Sequence, residues 1–168
     1  MSETASSLIL RREEIESMPG VSKTHFLNEN ARRVNKSLGD ATGLTGFGIH
    51  LIEIPPGADS SESHRHFQED ECVYILSGHA QVVLDGQTHA LEAGDFVGLP
   101  AGGPAHHVHN PGPAPLRCLV VGNRFDHDVA DYPRLGKRLF RNMGQWRLVD
   151  HEHLVDPKAD PNSTIGKK

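Results

Sequence analysis

The chain has 168 residues, a formal net charge of -5, 36% apolar residues and two cysteines. A domain of this size closes a hydrophobic core without disulfide staples, and its acidic balance, with no basic cluster, argues against nucleic acid or an anionic membrane surface as the main partner. Met1 to Glu14 lacks a basic start followed by a long apolar run, and no stretch approaches a membrane span, so the expectation is a cytoplasmic protein.

Residues 1–43 are polar and weakly periodic and read as an N-terminal arm. Within it, Arg11 to Met18 predicts a short helix stopped by Pro19-Gly20, and Asn28 to Ser37 an extended segment. From Leu44 the pattern changes. Leu44 to Ile54 predicts a strand ended by Pro55-Pro56-Gly57, and further strands are expected at Glu71–Leu76, His79–Leu84, Gln87–Leu91, Phe96–Leu99, His106–Asn110 and Leu116–Val121. Asp85-Gly86 is a hairpin signal. Short strands with regular turn punctuation indicate an all-β sandwich or barrel over residues 44–123. Residues 124–168 form a C-terminal extension. In it Pro133 to Arg147 reads as a returning strand or irregular arm packed on the barrel, and Asp156 to Lys168 as a frayed tail. Cys72 and Cys118 lie in apolar runs and read as reduced, buried thiols.

The chemistry concentrates in histidines. His64 and His66 stand two apart, so on an extended backbone both side chains leave the same face. Glu71 follows His66 at an odd offset, which requires a turn or bulge within Phe67 to Asp70; Glu69 and Asp70 read as a solvated acidic turn. A second cluster, His106, His107 and His109, arrives about forty residues on. Two imidazoles, a carboxylate and one later imidazole make a ligand set for one divalent transition metal, because imidazole is largely unprotonated at neutral pH. His50, on the preceding strand, is a candidate for orienting a ligand by hydrogen bond, with a satisfied barrel histidine as the alternative. Arg65, Cys72 and Tyr74 are expected to point away from the ion. Arg117, Arg124 and Arg141 could serve an anionic substrate, but nothing in the sequence places them at a cavity. Asp150-His151-Glu152-His153 reads as solvated tail.

The run Gly57 … His64-Arg65-His66 … Glu71 … Gly78 resembles the first motif of the cupin superfamily, with the expected six residues between Glu71 and Gly78 and one extra residue between Gly57 and His64. Gly94, Pro100, Gly102, His106 and Asn110 resemble the second motif, with one extra residue between Gly102 and His106. The resemblance covers Leu44 to Val121. It implies a single conical β-barrel (a double-stranded β-helix, or jelly roll) holding a metal through three histidines and one glutamate. Carried over residue by residue, these are His64, His66, Glu71 and His106. His106 follows from counting back from Asn110; His107 is the runner-up, and Ala105 offers no ligand atom.

The implied cofactor is one divalent transition metal: zinc, iron, manganese or nickel. Four ligands could leave one or two positions for water or substrate on an octahedral ion. The superfamily includes dioxygenases, isomerases, lyases and decarboxylases, and small one-barrel members described as sugar-phosphate isomerases. The expectation is a metal-dependent enzyme acting on a small polar molecule bound in the barrel. That molecule would be a sugar, sugar phosphate or organic acid, and the reaction isomerase-like or dioxygenase-like, with no catalytic residue assigned. The alternative is a non-catalytic metal- or small-molecule-binding module. A homodimer is expected, because polar arms beside an all-β barrel often pair with a partner's strand edges.

Overall fold

The structure, a computed structural model, describes residues 8–155. The segment read as a frayed tail, 156–168, lies outside them. A short helix, α1 (Arg12–Ser17), is followed by strands β1 (Val21–His25) and β2 (Asn28–Ser37), a helical turn α2 (Leu38–Ala41) and β3 (Phe47–Ile54). Then come β4 (Arg65–His66), β5 (Glu71–Ser77), β6 (His79–Leu84), β7 (Gln87–Glu92), β8 (Phe96–Leu99), β9 (His106–His109) and β10 (Leu116–Asn123). The chain ends in β11 (His127–Tyr132), β12 (Lys137–Asn142) and β13 (Gln145–Asp150).

The strands form three sheets: six strands in the order β1-β2-β3-β10-β5-β8, four in the order β13-β12-β11-β4, and three in the order β7-β6-β9. Every strand-to-strand ladder is antiparallel. The period-two pattern decides which residues face inward. Ile52 and Ile54 of β3, Val73 and Ile75 of β5, and Leu116 and Cys118 of β10 point into the barrel. They meet Ala80 and Val82 of β6, Leu99 of β8 and Val108 of β9. This core lies between the six-stranded and three-stranded sheets. Cys72 and Cys118 are free, because Cys72 is opposite Val121 in the β5–β10 ladder and Cys118 opposite Ile75.

Local chemistry sets the connections. Asp85 and Gly86 both have positive φ (46° and 84°), as the tight β6–β7 hairpin requires. Asn110 is wholly buried. It donates to the carbonyls of Ile54 (2.8 Å) and Ala114 (2.9 Å) and accepts from the Gly112 amide (2.9 Å), fixing the turn that leaves β9. The helix α1 stops before Pro19, and Lys36 of β2 donates to the carbonyls of Ile15 and Glu16, which favours a cation at that end.

The segment read as an extended arm, Asn28 to Ser37, is a full strand that adds to the barrel sheet beside β3. The segment after Pro133 is a regular hairpin, β12–β13, continuing from β11. Among the described residues no helix is long and apolar enough to cross a membrane.

Candidate metal centre

His64 and His106 face each other across an isolated antiparallel bridge: the His64 amide donates to the His106 carbonyl (3.1 Å) and the His106 amide to the His64 carbonyl (2.7 Å). Their rings lie 4.9 Å apart, centroid to centroid. His66 lies two residues on, paired with Ala130 of β11. The chain then turns through Phe67–Asp70 and re-enters the barrel at Glu71, the first residue of β5. That turn returns Glu71 to the histidine side. One atom each from His64, His66 and Glu71 lie within 4.8 Å of one another, and His106 Nε2 is 3.9 Å from Glu71 Oε1.

Each imidazole has its Nδ1 occupied by an oxygen: the Glu62 carbonyl at 2.8 Å for His64, Asp128 Oδ2 at 2.6 Å for His66, and the Pro104 carbonyl at 3.0 Å for His106. An acceptor at Nδ1 places the ring proton there and leaves the Nε2 lone pair free. The three Nε2 atoms then converge with a carboxylate. His64 Nε2 and His66 Nε2 are 3.2 Å apart, where two nitrogens held by one ion at about 2.1 Å would be roughly 3 Å apart. Two lone pairs that close require a cation between them. Either a proton on His66 or a metal ion serves that pair. A proton does nothing for His106 Nε2, which is buried without a hydrogen-bond partner. The donor set therefore fits a divalent ion better than it fits the metal-free chain.

The electrostatics follow from burial. Burial, together with His66 and His106, holds the His64 imidazole well below its ordinary pKa, and burial likewise lowers His106. Burial also pulls on His66, but its hydrogen bond to Asp128 and the charges of Glu71, Asp128 and Glu69 raise it above its ordinary value.

These residues border a cavity of about 360 Å³. One wall is apolar, with Ile52, Val73, Val82, Leu99, Val108 and Val120. Both chain ends contribute to the rest: His25, Arg33 and Asn35 from β1 and β2, and Asp128, Tyr132 and Trp146 from β11 and β13. Tyr132 lies beside His64 (centroids 5.9 Å), and burial pushes its phenol up to about 12.

Glu69 is buried rather than solvated: it accepts from the Phe125 amide (2.7 Å) and from Arg141. Arg141 thereby reaches the cavity edge, over Trp146, whereas Arg117 and Arg124 pair with Glu53 and Asp40. His151 is no free tail residue; its Nε2 is 2.8 Å from Asp131 Oδ1.

His50 lines the cavity and meets Asn35 Nδ2 at 3.2 Å; no hydrogen bond joins it to His64, His66, Glu71 or His106. The carboxylate that orients a candidate ligand's ring is Asp128, at 2.6 Å from His66 Nδ1. Arg65 points to Asp131 (3.2 Å), away from the histidines. His107 also lines the cavity, and its pKa is lowered, first of all by burial.

Residues 50–122 match the family model of the Cupin domain. A protein of Acidithiobacillus ferrooxidans, whose crystal structure carries the name "Putative sugar phosphate isomerase", is 48% identical; the match covers 92% of this chain and 99% of that one, with a TM-score of 0.90. A "sugar phosphate isomerase from a cupin superfamily" of Silicibacter pomeroyi is 31% identical over 86% of this chain and 94% of that one, with a TM-score of 0.76. An uncharacterized protein of Methanocaldococcus jannaschii is 32% identical over 66 residues, 39% of this chain and 52% of that protein, so the match spans about half of that curated relative. With both motifs on the barrel and a near full-length relative of this identity, the chain belongs to the cupin superfamily.

Proposed function

We propose that this chain is a metal-dependent cupin enzyme that acts on a small polar organic molecule in an isomerase-like reaction, with one divalent ion held by His64, His66, Glu71 and His106. The observation that carries this reading is the shared tautomer. Three rings each commit Nδ1 to an oxygen and turn Nε2 to a common point beside Glu71. The names of the two relatives above support an isomerase over a dioxygenase.

The ion, when bound, supplies a Lewis acid that polarises a substrate oxygen. The chain's own residues do the rest. Asp128 fixes the His66 ring, the apolar wall excludes water, and Tyr132 keeps its proton at neutral pH and can donate a hydrogen bond to a bound oxygen.

Protein purified without added metal is expected to carry about one transition-metal ion per chain by elemental analysis, and His64→Ala with His106→Ala to carry none. A metal-free wild type would sink the proposal. In an iron-loaded form, azide or nitric oxide should enter an open coordination position; a saturated ion would favour the non-catalytic alternative. The reading includes a homodimer, and sedimentation showing only monomer at micromolar concentration would refute that part.

A further inference from the structure

Arg33 belongs to β2, outside the matched family region, yet it lines the same cavity as the four candidate ligands. Alternation on β2 turns Ala31, Arg33 and Asn35 to one side: Ala31 is fully buried and Asn35 nearly so. The guanidinium is largely withdrawn from water, and burial lowers its pKa while the charge of Glu71 supports it. Arg33 is thus within electrostatic reach of the ligand carboxylate. Its hydrogen bond is from Nη1 to the Ser60 carbonyl. No ion pair from Arg33 exists among the described residues, whereas Arg141, the other arginine of the lining, is engaged by Glu69.

Among the charged side chains of the cavity lining one has no ion-pair partner, and the buried Glu62 carboxylate behind His25 and Tyr132 accepts from Asn28. Glu71 and Asp128 together offset a divalent ion, and Glu69 offsets Arg141. Arg33 remains. The neighbouring His25 and His50 add no second positive charge, because burial lowers the pKa of both. A guanidinium has five N–H donors, and a carbonyl engages only part of that fork. A buried charge is costly unless paired, and a bidentate oxyanion is the partner that guanidinium geometry fits.

Resting on the metal-dependent reading above, we propose that Arg33 anchors an anionic group of the molecule that occupies the cavity. The substrate is accordingly a small organic anion, a carboxylate or a phosphate ester, and not a neutral sugar.

The test titrates the zinc-loaded full chain calorimetrically with inorganic phosphate, acetate and glycerol. At least one anion should bind and glycerol should not. Arg33→Gln should weaken that anion by about tenfold or more with zinc content unchanged, and Arg33→Lys should restore part of it. Loss confined to phosphate identifies a phosphate ester, and loss confined to acetate a carboxylate. Equal anion affinity in wild type and Arg33→Gln overturns the proposal.

A second measurement needs no variant. Phenylglyoxal labelling of wild type, mapped by mass spectrometry with and without zinc, should show Arg33 protected by phosphate or acetate but not by glycerol. Labelling unaffected by either anion overturns the anchor even if zinc binds; absence of zinc with Arg33 protected instead removes the metal reading and leaves the anchor.

Discussion

His66 holds the cavity together from both sides. Its Nε2 faces His64 at 3.2 Å, its Nδ1 faces Asp128 at 2.6 Å, and its carbonyl accepts from the Gly102 amide at 2.7 Å. Asp128 fixes the ring's orientation and tautomer and raises its basicity, the role that outer carboxylates play at metal sites. Asp128→Ala is therefore expected to weaken metal affinity by about 10- to 100-fold, read by competition with a chromophoric chelator. Asp128→Asn keeps one acceptor oxygen, enough for the ring or for the Gln68 amide but not for both, and should lose less than Asp128→Ala. Equal affinity in all three proteins would show that Asp128 does not position the ligand.

At this scale the candidate ligands were legible in the chain. His64 and His66 share a strand face, and the turn after His66 returns Glu71 to it. His106 needed the count from Asn110 across the extra residue after Gly102. That extra residue is accommodated at Gly103, whose backbone approaches Pro100 so closely that an added Cβ would be 2.7 Å from its carbonyl oxygen. Asp128 and Arg33 were not legible. Each meets the site across a long sequence separation, 62 residues between His66 and Asp128, and a local pattern carries no information about which distant strand will lie alongside.

Among the elements, β4 and β11 bear the connection between barrel and extension. β4 is only two residues long, too short for any periodicity to show, and β11 carries carboxylates at buried positions, which hides its strand character. The turn-punctuated strands from β5 to β10 were readable because their inward residues are apolar and alternate. On β11, Asp131 is buried beneath Arg65, Arg138 (3.0 Å) and His151 (2.8 Å). Burial alone would push the Asp131 carboxyl up, but the hydrogen bonds from Arg138 and His151 outweigh it, and the group lies below its ordinary value.

The sign follows from that direction. Asp131 contributes stability above the ordinary carboxylate pKa of about 3.9 and loses it as pH falls through the lower folded value. Asp131→Asn should cost about 1–2 kcal/mol near neutrality, since the cations it leaves are about one-third exposed, and flatten the fall in stability below about pH 4, as measured by urea melts across pH. An unchanged acid profile would place the acid sensitivity elsewhere.

For the whole molecule, the family core and the working cavity have different extents. Residues 50–122 contain all four candidate ligands, but Arg33, Asp128, Tyr132 and Trp146 come from the segments on either side. The relative at 48% identity aligns over 92% of this chain, so its match takes in those segments as well. The Asp128–His66 contact gives this arrangement a thermodynamic consequence. The ring that would take the ion is the ring that docks β11, so ion occupancy and attachment of residues 124–155 must stabilise each other by the same free energy. Removing the ion with a chelator should speed hydrogen exchange and tryptic cleavage at Arg134, Lys137 and Arg138 while leaving β5 and β10 protected. Uniform loosening of the barrel would contradict that coupling. The C-terminal sheet would then act as a reversible latch whose grip reports what the barrel holds.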